Sequence, residues 1–287
     1  MRSSRCFLRS AILALSALCF ALLGDGRQDA HAQGKLDARY TASLAGIPLG
    51  KGAWVIDITE DQYTAAASGM TTGVLRVFSS GQGTGASRGT VAGGQLVSAN
   101  YGATLIADKR TEEIRIALSG GVVKEFTVVP PPPPNPGLIP VTEAHRRGVT
   151  DPMTGSLMRV PGHGELLAPE ACHRNVAVFD GRMRYDLQMS YKRMDKVKAE
   201  KGYEGPVVVC AVNFAPIAGY VPDRAAIKYL IALREMELWL APVTGTRVLV
   251  PFRFSVPTPL GLGVLQATQF NTVALPPKAT PTSAKTQ

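Results

Sequence analysis

The chain has 287 residues, 45% hydrophobic and 18% charged, with 31 Lys and Arg against 22 Asp and Glu, for a formal net charge of +9. That length can bury a real core, as one large β domain or two smaller ones. The basic excess is spread thinly with no arginine-rich block, which argues against a nucleic-acid binder, and 29 Gly with 21 Pro argue against a helical protein and for many strands joined by tight turns.

Arg2, Arg5 and Arg9 precede an apolar run from Ala11 to Leu23, and charge returns at Asp25, Arg27 and Asp29. A positive start, a short apolar stretch and a small-x-small site define a cleavable secretory signal, here ending at Ala30-His31-Ala32. The run of 13 residues is too short for the roughly 20 that span a bilayer. Leu18 before Cys19 disfavours lipid attachment, which needs a small residue there. The apolar stretch Tyr229–Pro242 is broken by Arg234, Glu235 and Glu237, so no later transmembrane segment is expected. Removing residues 1–32 leaves 27 basic and 20 acidic residues, a net +7. The leader predicts export from the cytoplasm, and the expected partner is an envelope component rather than nucleic acid.

Residues 33–270 read as a single β-rich domain. Tyr40–Leu44 is a short strand before a Gly46-Ile47-Pro48-Leu49-Gly50 turn. Trp54, Ile56 and Ile58 then alternate with Val55, Asp57 and Thr59, and Tyr63–Ala67 starts another strand. Gly81, Gly83, Gly85, Gly89, Gly93 and Gly94 read as turns and bends, because glycine takes positive φ freely. Tyr101–Ala107, a charged turn at Asp108–Thr111, and the alternating Ile114, Ile116 and Leu118 complete a meander. The Pro130–Pro134 run, inside a Pro-rich stretch at 130–140, predicts an extended crossover between two β halves.

Val141–Arg159 predicts two short helices, the second started by Thr150-Asp151-Pro152 with a capping side chain and Pro in the first turn. Asn175–Phe179, Asp180-Gly181 and Arg182–Met194 predict a hairpin on a two-residue turn with positive φ at both central residues. Met183, Tyr185, Leu187, Met189 and Tyr191 share one face of its second strand. Lys201–Gly205 turns the chain into Val207–Phe214. Pro222–Leu233 is ambiguous, with Asp223 a candidate cap. Val248–Val256 and Leu260–Phe270 are strands, and residues 271–287 read as a disordered tail.

After cleavage two cysteines remain, Cys172 and Cys210, and in an oxidising compartment they read as one disulfide closing a loop of about 39 residues. No catalytic motif is present: no G-x-S-x-G, no H-E-x-x-H, no S-x-x-K with K-T-G. His163-Gly164-Glu165 is half of a ligand set without a partner, and Asp180-Gly181-Arg182 is explained by its turn. No metal or other cofactor is expected. Lys192, Arg193, Lys196, Lys198 and Lys201 crowd one hairpin tip, a possible basic surface for anionic lipid or polysaccharide.

Tyr40-x-Ala42-x-Leu44-x-Gly46-Ile47-Pro48-Leu49-Gly50, then Asp151-Pro152, then Val178-Phe179-Asp180-Gly181-Arg182-x-Arg184-Tyr185-Asp186-Leu187, then Pro257-Thr258-Pro259-Leu260-Gly261 occur in order. Together they resemble a domain-of-unknown-function family of exported envelope proteins from Gram-negative bacteria, over roughly residues 38–270. The resemblance implies a mainly β protein built on a curled antiparallel sheet, open or spiral and barrel-like, with a short helical insertion near the middle. It implies periplasmic placement and supplies no catalytic residues. The functional expectation is a non-enzymatic envelope protein that binds a hydrophobic ligand or partner and supports envelope integrity. The alternative is a hydrolase or transferase acting on envelope polymer through carboxylates such as Glu165 or Asp180.

Overall fold

Alternating burial organises nearly every strand. The computed structural model describes residues 33–72, 81–108 and 110–276. The expected leader 1–32 and residues 277–287 of the expected tail lie outside the described residues, while 271–274, expected to be disordered, continue the last strand because they pair with Gly34–Asp37. Everything described belongs to one compact unit, Ala32–Gln287. Its strands are β1 (Gly34–Leu44), β2 (Ile47–Ile58), β3 (Gln62–Thr71), β4 (Gly81–Ala92), β5 (Gln95–Ala107), β6 (Arg110–Ser119), β7 (Val122–Val129), β8 (Met158–Arg159), β9 (Arg174–Phe179), β10 (Arg184–Lys198), β11 (Lys201–Gly202), β12 (Glu204–Ala218), β13 (Met236–Pro242), β14 (Val248–Thr258) and β15 (Gly261–Ala274), with one α-helix among the described residues, α1 (Ala225–Ala232).

The strands form one large sheet in the order β7-β6-β5-β4-β3-β2-β1-β15-β14-β13-β12-β10-β9. Pairing along this path is antiparallel, while β8 adds to β14 and β11 pairs in parallel with β15. The first and last long strands meet at the centre, so two meanders flank them. In β2 the expected alternation holds, with Trp54, Ile56 and Ile58 buried against Leu36, Ala38 and Tyr63. The sheet does not close into a barrel. Its two edges, β7 and β9, are instead bridged by residues 147–150. Val149 N–H donates to Gly121 O (3.0 Å), Thr150 N–H to Ala177 O (2.9 Å), and Phe179 N–H to Thr150 O (2.9 Å). Phe126 and Phe179 meet edge to face across this seam at 5.2 Å, and Arg182 pairs with Glu112 beside it.

From the seam the chain crosses the concave side of the sheet. Residues 154–156 form a 3₁₀ turn, Leu157 enters the main core, and β8 then pairs with β14. One buried carboxylate pins this crossing segment. Asp151 Oδ1 accepts the N–H groups of Met153 and Thr154, both at 2.9 Å. Its Oδ2 accepts the hydroxyls of Ser87 (3.0 Å), Thr154 (2.5 Å) and Ser98. Thr154 has thereby spent its proton, so Tyr63 donates to Thr154 Oγ1 at 2.6 Å. Asp151 is fully buried, and five donors replace the water it has lost.

The second helix expected around Asp151 is thus a single 3₁₀ turn, and the first is another, Ala144–Arg146. Both are short because the segment spends its backbone on the β7 and β9 edges. The Asp180-Gly181 turn also differs from expectation: only Gly181 has positive φ (95°). Asp180 acts through its side chain, accepting the N–H of Arg182 (2.8 Å) and Met183 (2.7 Å). Residues 47–50, expected as a turn, belong to β2, and the turn is Ala45-Gly46. The face expected to hold Tyr191 ends at a bulge between Tyr191 and Arg193, which leaves Tyr191 exposed.

Cys172, in a short 3₁₀ helix before β9, is bonded to Cys210 on β12, with 5.4 Å between the Cα atoms. Both sulfurs sit in a second core cluster with Met158, Leu238, Leu240 and Leu249. Replacing both cysteines by serine should lower the stability by about 4 kcal/mol, from the closure entropy of a loop this long. Urea denaturation of the oxidised protein against the double variant measures it.

On β13, Glu237 takes a bidentate pair of hydrogen bonds from Arg193 (3.1 and 2.9 Å) and a contact from Lys192. The Arg193 hydrogen bonds, helped by Lys192, hold its carboxyl down at about 2 despite burial acting the other way. A depressed folded pKa contributes stability that is present above the ordinary value of 4.5 and lost as pH falls toward about 2. Across that window the urea midpoint should fall more steeply for the wild type than for Glu237→Gln.

Candidate functional site

The meander β1–β5 leaves space on its inner face because the residues there lack side chains. Cross-strand register sets Gly52, Gly69, Gly83 and Leu105 in one row across β2 to β5, with Trp54, Ala67, Gly85 and Ala103 in a parallel row. Glycine and alanine at six of these eight positions thin the layer of side chains that would otherwise fill this part of the inner face. Two contiguous, solvent-open recesses of about 630 and 620 Å³ result, sharing Ala67, Gly69, Thr71, Tyr101 and Met153 in their lining. Cavities of this size are typical of small-molecule sites.

The walls are apolar. Tyr40, Trp54 and Leu265 line one side, and Pro152, Met153 and Ser156 of the crossing segment line another. The Asp151 hydrogen bonds to the Met153 and Thr154 amides therefore fix one wall of the cavity. Tyr40 donates its hydroxyl to Pro251 O at 2.7 Å, and burial raises its pKa. Burial, reinforced by the nearby Asp151 and Asp180 carboxylates, pushes the Tyr101 phenol up to about 12. Both phenols are neutral at physiological pH, so neither puts a charge at the wall. The cavity opens where β2 and β4 begin and β3 and β5 end, since Leu49, Gly81, Thr71 and Ala107 lie in its lining.

Two other concavities differ in chemistry. The opposite face of the same meander forms a groove of about 1170 Å³, floored by Ala66, Ala86, Gly102 and Ala117 and bordered by Lys35, Asp57, Arg88, Arg115 and Glu125. Lys35 and Asp57 pair at 2.6 Å within it. A polar recess of about 620 Å³ gathers Arg159, Glu165, Glu170, His173 and Arg174. Glu165 and His173 thus both line this recess, while His163 is absent from it. Asp180 is placed elsewhere, held by the β9–β10 turn it closes.

The expected basic surface is divided. Lys192 and Arg193 both engage Glu237, Arg193 also stacks on Trp239 at 5.4 Å, and Lys198 pairs with Glu204 at 2.8 Å. Lys196 and Lys201 lie on the same stretch and are exposed.

The glycines of β4 correct the sequence reading. Gly93 and Gly94 do form a turn, with φ of 55° and 71°, but Gly81, Gly83, Gly85 and Gly89 lie within the strand. Gly89 is needed for close approach: a Cβ there would sit 2.0 Å from Val97 O and 2.7 Å from the Tyr63 ring. Their even spacing was the available signal, since period two places residues on one face of a strand. Gly52 shares that spacing with Gly50, but Gly69 has no such local signature and becomes legible only through register.

Replacing Asp151 by Asn sets an amide donor against hydroxyl donors and should cost about 2–4 kcal/mol. Chemical denaturation measures the loss, and tryptophan fluorescence of Trp54 reports loosening of the cavity wall.

A solved structure that resembles this chain is the beta-barrel-like protein of domain of unknown function DUF1849 from Brucella abortus, at 10% identity and a TM-score of 0.48, with 84% of this chain and 98% of that one covered. No curated protein matches the chain significantly. The sequence profile of the protein of unknown function family DUF3108 matches residues 39–268, which span β1 to β15, and the chain belongs to that family.

Proposed function

We propose that this chain is a non-enzymatic protein of the bacterial periplasm that holds a hydrophobic small molecule in the inner cavity and thereby supports the cell envelope. The observation that carries the reading is the cluster of glycine and alanine on the inner face of four adjacent strands, beside a largely apolar wall. Filling that space with ordinary core residues would stabilise the fold, because each buried methylene is worth about 0.8 kcal/mol. Leaving it open at that cost is the arrangement of a binding protein. The leader-like residues 1–32 and the buried Cys172–Cys210 disulfide support an exported, oxidising setting.

Protein isolated from the periplasm should release a lipid-like molecule on organic extraction, detected by mass spectrometry. Gly69→Leu is the companion test. A Cβ at Gly69 meets nothing nearer than Lys51 O at 3.7 Å, so the side chain enters the cavity without displacing backbone. The variant should unfold at the wild-type midpoint or above it, yet lose the extracted molecule and bind a fluorescent fatty-acid probe at least tenfold more weakly. A wild-type protein that yields no lipid and binds no such probe would sink the reading.

A further inference from the structure

We infer that the rim of the cavity mouth is a membrane-docking edge that seats on a phospholipid bilayer, and this rests on the reading of the cavity as a hydrophobic site. The turn after β1 and the turn before β15 lie side by side at this mouth. Ala45 N–H donates to Leu262 O at 2.9 Å, and Leu44 pairs with both Gly263 and Ile47. These adjoining tips expose large apolar side chains: Leu260 is 77% exposed and Ile47 53%, with Leu262 also exposed. Leu105, at the end of β5 and in the cavity lining, is exposed on the same mouth. Single exposed leucines are ordinary, but several on adjoining tips around one opening form a patch with a purpose.

The helix α1 is tied to this edge, because the Tyr229 hydroxyl donates to Pro257 O at 3.0 Å. It has no buried residue and presents Tyr229 and Ile231 to solvent. Arg224, Lys228 and Arg234 lie on or beside it. The acids of the same stretch are Asp223, which pairs with Lys228 at 2.9 Å, and Glu235. Apolar tips flanked by an aromatic residue and a small basic excess are the chemistry of interfacial lipid binding. Continuity with the cavity selects a bilayer over a protein partner. An apolar cargo leaves or enters the cavity through this mouth, and it avoids water only if the rim abuts a hydrocarbon phase. Convex separate tips also suit insertion among headgroups better than packing on a folded surface.

Flotation with phosphatidylcholine vesicles, with and without added phosphatidylglycerol, tests this on the full exported protein. The wild type should float with both and more strongly with the anionic vesicles. The double variant Ile47→Asp with Leu260→Asp should float at least tenfold less, while its unfolding midpoint and its binding of the fluorescent fatty-acid probe stay at wild-type values, since both side chains are exposed. A double variant that floats like the wild type overturns the docking edge. So does a wild type that stays in solution, or one whose binding depends on anionic lipid alone and ignores the double substitution. Each of these leaves the cavity reading intact if the probe still binds. Loss of probe binding in the wild type strikes the cavity reading instead.

Discussion

A buried carboxylate with no cationic partner organises this molecule. Asp151 has no ion pair among the described residues, and a charge placed in the interior must recover several kcal/mol of lost hydration from hydrogen bonds. Five donors from three parts of the chain meet that demand: Ser87 on β4, Ser98 on β5, and the turn at 153–154. The geometry is satisfied only when the crossing segment sits at one depth and in one register against the meander. Because the same segment also bridges the two free edges of the sheet, this one group couples edge closure, core packing and the wall of the cavity.

The edge problem explains why the crossing segment is needed. A long sheet with open edges invites pairing with other chains. Here β7 and β9 never pair with each other, and the few backbone hydrogen bonds of residues 147–150 take their place. Phe126, Phe179 and the Arg182–Glu112 pair cover the seam from both sides. The sheet therefore stays open enough to keep an internal space, without leaving both edges bare.

The two ends of the sheet use their residues differently. Around β12 to β14, Val, Leu, Phe and Trp bury both faces and the disulfide adds a covalent tie. Around β2 to β5, glycine and alanine occupy most of two inward-facing rows, Gly52, Gly69 and Gly83 in one and Ala67, Gly85 and Ala103 in the other. The contrast is one of packing: large apolar side chains fill the half around β12 to β14, while small residues leave a recess on the inner face of the other half.

Local chemistry made much of this visible before any coordinates. Period-two alternation located β2, β6 and most of β10, because burial of one face imposes that pattern wherever one face is buried. The pairing of Cys172 with Cys210 followed from counting, and Asp151 was legible as a capping residue although its three hydroxyl partners were not. What the sequence by itself determined was the class of fold, the disulfide and the absence of a known catalytic motif, all of which depend on residue type and short-range order. Only the tertiary structure decided that the glycines of β4 pave a wall rather than punctuate turns, that Asp151 anchors a crossing strap, and that Ile47 and Leu260 share a rim. Those facts depend on cross-strand register between residues that are distant along the chain, and register is set by the packing of the whole sheet.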